Sequence, residues 1–425
     1  MDSFKNYLFL WLFIIPTWTT AGADGFTPLG RFRQSSALVG NKLYFFGSSV
    51  IVQSRDNIIL DVTLSTLNTS NPLWFLSNSS VPTNSAFASA CVGGPYKNMI
   101  YLLEHLNTTN DVSNNIIVYA LDTISGTWII PIMSGTIPVS RQQFQAINDA
   151  NGKIYMFGGF KGFMSPNSGG VLNDINILDT FSLTWIQGSN VSAPTSRADF
   201  SATLLKNGLI LYLGGGDNIN MAEIPIYDTY NNSWSKMIAT GDSIDPRSGH
   251  TAVLSPDGHV IIYGGSKNNA TLDQSQQIAS LDTTLNPYKW SVKSMIGNNV
   301  PPPLVFHSAT IVGNFMILAF GQKGVNNAFD SNDLNSQLYI LDTRNYVWVT
   351  STNTSTNSPN PQNPSVAQIQ TVIVSNSNSL STGVIVAIPI ISNVLIAIAG
   401  FIGYWLFKKN ERDDIVRIAG SKNTA

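Results

Sequence analysis

The chain has 425 residues, of which 43% are apolar and only 11% are charged, and its formal net charge is −2. This length exceeds that of one small domain, and the near-neutral charge excludes a strongly basic surface of the kind that binds nucleic acid. The single cysteine, Cys91, excludes an internal disulfide, so we expect a large apolar core to stabilise the fold and Cys91 to be buried in it.

Residues 1–23 have the pattern of a secretory signal peptide. Lys5 precedes the apolar run 7–18, and small residues follow it at Ala21 and Ala23. A membrane anchor is the alternative, but spanning a bilayer takes about 20 apolar residues and this run is shorter. We therefore predict that the domain beginning at residue 24 lies outside the cytosol.

One unit of about 50 residues recurs six times in residues 24–350. Each unit has an apolar run ending in aspartate and then a tryptophan, and the gaps between tryptophans are 49 to 58 residues. The aspartates are Asp61, Asp122, Asp179, Asp228, Asp282 and Asp342, and the tryptophans are Trp74, Trp128, Trp185, Trp234, Trp290 and Trp348. Because all six units carry them, we predict structural roles: aspartate accepts backbone N–H bonds in a turn, and tryptophan packs one unit on the next.

Each unit is predicted to form four short strands. An Asn-Gly or Asp-Gly pair, as at 151–152, predicts a two-residue hairpin between the first two strands. Glycine pairs at 158–159, 214–215 and 264–265 end the second strand, where crowded backbones or a positive φ would exclude a side chain. Six such units predict an all-β fold, a six-bladed propeller of four-stranded antiparallel blades.

The units resemble kelch repeats of the galactose-oxidase central-domain superfamily. The fifth unit carries the fullest pattern, with Arg247, His250, Gly264, Gly265, Asp282 and Trp290. Arg141 and Arg197 stand in the third and fourth units with phenylalanine at the histidine position, and His307 stands in the sixth without the arginine. The resemblance implies a kelch β-propeller, and the signal, propeller and single span together are similar to fungal single-pass membrane kelch proteins.

The superfamily also implies an alternative, a galactose-oxidase-like enzyme that oxidises carbohydrates. Its copper site, as the resemblance implies, needs a cysteine crosslinked to a tyrosine, a Tyr-His pair and a further histidine. Here none of the four histidines follows a tyrosine. We therefore expect no catalytic residues, no metal site and no cofactor.

Binding is expected on the rim of the propeller that carries the connections between the second and third strands, because these differ widely in length and content. The predicted contact residues are Phe160, Lys161, Phe163, Met164, Lys323 and Phe329. The alternative is that the apolar side chains among them fold back onto the rim.

The C-terminal part predicts attachment to a membrane. Residues 351–382 are rich in Ser, Thr, Asn and Pro and predict a stalk, residues 383–407 predict one transmembrane α-helix, and Lys408 and Lys409 indicate that residues 408–425 form a cytoplasmic tail. Seven sequons lie between the signal and the span and predict glycans at Asn68, Asn78, Asn107, Asn190, Asn231, Asn269 and Asn353.

Together these features predict a type I glycoprotein of the cell surface or another secretory-pathway membrane. Its extracellular or lumenal propeller, residues 24–350, would bind a protein or glycan partner. Besides the enzyme, a second alternative is a structural component of the wall or cortex without a dissociable ligand.

Overall fold

The computed structural model describes residues 26–47, 55–83, 85–104, 115–161, 170–268, 270–324 and 333–353. The predicted signal peptide, transmembrane helix and cytoplasmic tail lie outside these residues, as does the predicted stalk beyond residue 353. No helix of the described residues is long and apolar enough to cross a membrane.

The described residues form six main antiparallel sheets, each built from one continuous unit of the sequence. Blades 1 and 2 consist of β1 (Ser35–Val39), β2 (Lys42–Phe46), β3 (Asn57–Asp61), β4 (Trp74–Leu76), β5 (Ser89–Gly93), β6 (Met99–Glu104), β7 (Ile117–Asp122) and β8 (Thr127–Ile129). Blade 3 and the links beside it contain β9 (Ser134–Gly135), β10 (Arg141–Gln142), β11 (Ile147–Asn148), β12 (Lys153–Phe157), β13 (Phe160–Lys161), β14 (Ile175–Asp179) and β15 (Thr184–Gln187).

Blades 4, 5 and 6 repeat this order. Blade 4 consists of β16 (Ser201–Leu204), β17 (Leu209–Leu213), β18 (Glu223–Asp228) and β19 (Ser233–Ile238). Blade 5 and its links contain β20 (Thr240–Gly241), β21 (Thr251–Leu254), β22 (His259–Tyr263), β23 (Ser266–Lys267), β24 (Ala270–Thr271), the 3₁₀-helix Gln274–Gln276, β25 (Ile278–Asp282) and β26 (Lys289–Val292). Blade 6 and its links contain β27 (Ile296–Gly297), β28 (Leu304–Val305), β29 (Ser308–Val312), β30 (Phe315–Ala319), β31 (Gln322–Lys323), β32 (Leu338–Asp342) and β33 (Val347–Val349).

The predicted all-β, six-bladed propeller is therefore confirmed. The innermost strands β1, β5, β11, β16, β21 and β29 each contact the next, and β29 contacts β1, so the ring is closed. Three blades differ from the predicted four strands. In blades 3, 5 and 6 the link from the preceding blade adds a fifth, parallel strand of two residues, β9, β20 or β27, outside the fourth strand.

The core lies between the blades. The second strands β2, β12, β17, β22 and β30 are buried along almost their whole length. A second strand is covered by neighbouring blades on both faces, which explains why its sequence is almost continuously apolar instead of alternating. Cys91 is also buried, and burial raises the pKa of its thiol to about 12.

The recurring aspartates have the same setting in each blade, and most of the recurring tryptophans are buried. Every aspartate accepts a hydrogen bond at Oδ1 from the backbone N–H two residues later. Five of the tryptophans are buried, and Trp128 is half-buried. The indole N–H groups of Trp234 and Trp290 donate to backbone carbonyls of the preceding unit, at 2.8 and 3.0 Å.

The hairpins between the first two strands differ from the predicted two-residue form in blades 3, 4 and 5. The Leu205 N–H donates to the Leu209 carbonyl at 2.8 Å, which leaves three residues in the loop. Only the last of these, Gly208, has a positive φ, at +82°. A three-residue loop ending in a left-handed glycine is the next most common hairpin and accounts for the Asn-Gly pair equally well.

Each glycine pair lies where adjacent blades come closest. Gly264 has φ +66°, and a Cβ atom there would lie 2.3 Å from the carbonyl oxygen of Leu304 in blade 6. The next N–H, of Gly265, donates to that same carbonyl at 2.9 Å. Both the conformation and the spacing exclude a side chain at this step.

The ring closes between blades 6 and 1 without sharing a strand. The Gly321 N–H donates to the Arg31 carbonyl at 2.8 Å, and the Thr69 N–H donates to the Thr350 carbonyl at 2.8 Å. The Thr352 N–H donates in turn to the Leu67 carbonyl at 3.2 Å. A shared apolar cluster that includes residues of β2, β3, β30 and β32 fills the space between the two blades.

Candidate functional site

Four arginines anchor the start of the first strand on the rim that carries the variable connections. Each is buried, and its Nη1 donates to the carbonyl of the glycine that ends the second strand, at 3.1 to 3.4 Å. The arginines are Arg31, Arg141, Arg197 and Arg247. Sequence analysis missed Arg31, although its distance of 16 residues to Gly47 nearly equals the 17 residues in the other three units.

A ring of six residues surrounds one mouth of the central channel, one residue from each blade. Each lies two positions after one of these arginines or after the equivalent residue of its unit. All six have a left-handed backbone, with φ between +51° and +66°. They are Arg33, Phe87, Gln143, Asp199, Gly249 and Phe306. Backbone N–H···O=C bonds of 2.8 to 3.1 Å join neighbouring members of the ring, from Arg33 to Phe306 and from Asp199 to Gln143 among others. The ring is therefore a hydrogen-bonded collar that presents its side chains to the channel mouth.

The side chain of Arg33 occupies the mouth between two aromatic rings. Its guanidinium carbon lies 3.5 Å from the ring centroid of Phe306 and 4.4 Å from that of Phe87. Its Nη1 also lies 3.5 Å from Oδ1 of Asp199. Blades 6 and 2 flank blade 1, and blade 4 is opposite, so one arginine from blade 1 contacts three sides of the mouth.

Burial at the channel mouth shifts the pKa values of Arg33 and Asp199 in opposite directions. It lowers the pKa of Arg33, an effect that Asp199 opposes, and it raises the pKa of Asp199, an effect that Arg33 opposes. Neither group is fully enclosed, because the side chains remain 13% and 21% exposed. The collar thus holds a guanidinium that is paired with a carboxylate and is still partly exposed to solvent or to a binding partner.

The channel behind the collar is a cavity of about 790 Å³ lined by the first strands of all six blades. Alanine or serine recurs three residues after the collar, at or just before the start of these strands, at Ser36, Ala90, Ala146, Ala202, Ala252 and Ala309. Small side chains at this position leave the channel open behind Arg33.

Of the six rim residues predicted from sequence, the structure describes Phe160, Lys161 and Lys323, and these lie on two different blades. Phe160 is half-buried and pairs with Gln142, whereas Lys161 and Lys323 are exposed. The two lysines belong to blades 3 and 6, on opposite sides of the ring. Phe163, Met164 and Phe329 lie outside the described residues. The collar, which joins all six blades at the centre of this rim, was not predicted.

The comparisons with known proteins agree with this architecture. A family model, the KLHDC2/KLHL20/DRC7 Kelch-repeats domain, matches residues 38–265, 96–321 and 212–379, which overlap and together cover more than half of the chain. The chain belongs to the kelch-repeat family.

Curated proteins are similar to this chain over most of the propeller. Acyl-CoA-binding domain-containing protein 5 of Arabidopsis thaliana is 27% identical over 334 residues, which cover 75% of this chain and 48% of that protein. Kelch domain-containing protein 3 of Homo sapiens is 26% identical over 339 residues, which cover 73% of this chain and 84% of that protein. The chain spans about half the length of the first curated relatives it matches.

A solved structure, that of YjhT, shares the fold. It has a TM-score of 0.55 and 13% sequence identity, and the match covers 76% of this chain and 97% of the YjhT chain. At this identity the likeness concerns the fold alone.

The histidines of the kelch motif form hydrogen bonds between neighbouring blades. Nε2 of His250 lies 2.9 Å from Oγ of Ser201, and Nε2 of His307 lies 2.7 Å from Oγ1 of Thr251, each in the preceding blade. Burial lowers the pKa of both, that of His307 to about 3, so both are neutral at pH 7. Within the described part of the kelch propeller, no three His, Cys, Asp or Glu side chains are grouped so that they could hold a metal ion.

The predicted glycosylation sites differ in exposure. Asn78, Asn190, Asn231 and Asn353 are exposed, Asn68 is half-buried, and Asn107 and Asn269 lie outside the described residues. The Asn231 and Asn353 amides donate hydrogen bonds, to Asp228 and to the Ser65 carbonyl. Asn78 and Asn190 therefore present the most accessible amides for a glycan.

Proposed function

We propose that this protein is a binding module, not an enzyme, and that its kelch propeller engages a protein partner at the collar. The observation that carries the proposal is the setting of Arg33, whose guanidinium lies between Phe87 and Phe306, 3.5 Å from Asp199, and remains 13% exposed at the channel mouth. Aromatic and arginine side chains in a rigid, largely desolvated setting are the usual anchors of protein interfaces.

The other arginines of this rim support the choice of Arg33. Arg31, Arg141, Arg197 and Arg247 are at most 4% exposed, and their Nη1 groups bind carbonyls of the fold. The Arg33 guanidinium instead contacts the side chains of Phe87, Phe306 and Asp199 at the channel mouth. Because these contacts hold it in place, binding a partner would cost little side-chain conformational entropy. A rigid collar surrounded by varied connections is a common way to combine affinity with specificity.

The sequence also supports a proposed subcellular location. A signal peptide, sequons and one apolar segment before a lysine pair favour a type I glycoprotein of the cell surface or another secretory-pathway membrane, with the propeller outside the cytosol. Digestion of the full chain with an endoglycosidase tests this: a mobility shift supports the proposal, and an unglycosylated chain that protease reaches from the cytosolic side contradicts it.

The binding test uses the full tagged chain in cells and crosslinking before purification. Arg33→Ala removes the anchor, and Tyr96→Ser, at a residue that is 87% exposed on the opposite rim, is the matched control. We expect Tyr96→Ser to recover the same partner as wild type and Arg33→Ala to recover it at least tenfold less. Equal recovery by all three chains contradicts the role of the collar, and copper-dependent peroxide formation on galactose would favour the oxidase.

A further inference from the structure

We propose that the outer edge of blade 2 is a contact between two copies of this chain. Strand β8 forms this edge, and four isoleucines on it and beside it are exposed: Ile124 by 68%, Ile129 by 49%, Ile130 by 67% and Ile132 by 93%. We call these four residues the isoleucine patch. Four large apolar side chains exposed within nine residues of one strand edge are uncommon on soluble domains unless they form an interface.

The other outer edges are protected in ways that blade 2 is not. In blades 3, 5 and 6 a parallel strand covers the fourth strand. In blade 4 the edge strand carries Lys236, which pairs with Glu223 at 3.1 Å, and in blade 1 the sequon residue Asn78 follows two residues after β4. Along β8 the described residues provide no covering strand, and neither a charge nor a sequon lies on it.

The charge of the patch favours a second copy as the occupant. From Thr123 to Ser140 the sequence contains no charged residue. A two-fold contact places a surface against itself, so any charge at its centre would meet a like charge, whereas a neutral apolar patch is complementary to its own copy. The patch has this property over its full length.

Pro131 limits the geometry of the contact. It has no N–H group, so a hydrogen-bonded ladder cannot continue past Ile130, and the contact must depend mainly on side chains. A two-fold contact of this kind closes as a dimer and does not continue into a fibre.

The chain offers a direct test because Cys91 is its only cysteine and is buried. Ile132→Cys in the full chain introduces one exposed thiol in the patch. Ile238→Cys, at an isoleucine that is 55% exposed at the end of β19 in blade 4, is the matched control. Under mild oxidation in intact membranes, we expect Ile132→Cys to form a disulfide-linked species of twice the chain mass at least tenfold more than Ile238→Cys.

A second variant tests the contact without crosslinking. Two differently tagged copies of the full chain should coprecipitate, and Ile132→Asp should reduce this at least tenfold while Ile238→Asp leaves it unchanged. Equal crosslinking of the two cysteine variants, no effect of Ile132→Asp, or crosslinking of Ile132→Cys to a different protein would each overturn the proposal.

Discussion

Nη1 of Arg33 in blade 1 lies 3.5 Å from Oδ1 of Asp199 in blade 4, so one ion pair connects opposite sides of the ring. The contact is possible because both residues belong to the left-handed collar, which directs their side chains toward the channel mouth. We expect a double-mutant cycle with Arg33→Met and Asp199→Asn to give a coupling energy of about 1–2 kcal/mol in the free energy of unfolding.

The matched pair for this cycle is Lys236 and Glu223, whose side chains are 62% and 47% exposed. A surface pair of this kind should couple by less than about 0.5 kcal/mol. Urea denaturation at pH 7 measures both cycles. Equal coupling in the two would mean that the collar pair contributes no more than an ordinary surface ion pair.

Substitution of Gly264 by alanine should destabilise the propeller by about 3 kcal/mol or more. The new Cβ would meet the Leu304 carbonyl at 2.3 Å, in addition to the strain of an alanine at φ +66°. Gly40→Ala is the control, since Gly40 has φ +60° but a Cβ added there would have no other atom within 4 Å. We expect a cost of about 1 kcal/mol there. Thermal unfolding of both variants separates strain from collision, and equal losses would rule out the collision.

Asp174→Asn should cost about 2 kcal/mol of unfolding free energy. The Asp174 carboxylate accepts two bonds from the buried Arg141, at 2.7 and 2.9 Å, and its removal leaves a buried guanidinium without a counter-ion. Lys236→Gln, at an exposed ion pair, should change stability by no more than about 0.5 kcal/mol. A smaller loss in Asp174→Asn than in Lys236→Gln would contradict this account.

The propeller should lose stability as the pH falls below about 6.5. Burial lowers the pKa of His307 to about 3 in the folded state, so between about 6.5 and 3 the unfolded state binds the additional proton and is favoured. From pH 7.5 to 5.0 this one residue should cost about 2 kcal/mol.

His307→Phe tests that contribution, and phenylalanine already occupies the equivalent position in blades 3 and 4, as Phe144 and Phe200. The variant should reduce the loss between pH 7.5 and 5.0 by about 2 kcal/mol, measured by urea denaturation. An unchanged pH dependence would show that His307 does not titrate in this way.

The propeller could be predicted from the sequence because every blade packs on its neighbours through the same kinds of residue. Trp290, Asp282 and the glycines at 264–265 recur in register, and their spacing alone gives the number of blades. The collar could not be predicted in the same way. Its six positions are occupied by five residue types, and only Gly249 suggests a positive φ, because hydrogen bonds between neighbouring blades impose the conformation on the others.

The added parallel strands and the closure of the ring could not be predicted from the sequence either. Strand β20 is only two residues long and pairs with β26, which follows it by nearly 50 residues, so no local pattern identifies it. The closure includes single backbone bonds such as Thr69 to Thr350, in which any residue type except proline can be the donor.

Every blade is made from one uninterrupted stretch of chain, and the last described residues lie beside the first blade. The blades follow their sequence order around the ring, but the position at which the chain begins is not fixed by that order. We therefore expect a circular permutant to fold into the same propeller. In its gene the segment after residue 353 is removed, a linker joins the ends near residues 26 and 353, and the new start lies in another link between blades. In such a circular permutant every blade would keep its own four strands and both of its neighbours.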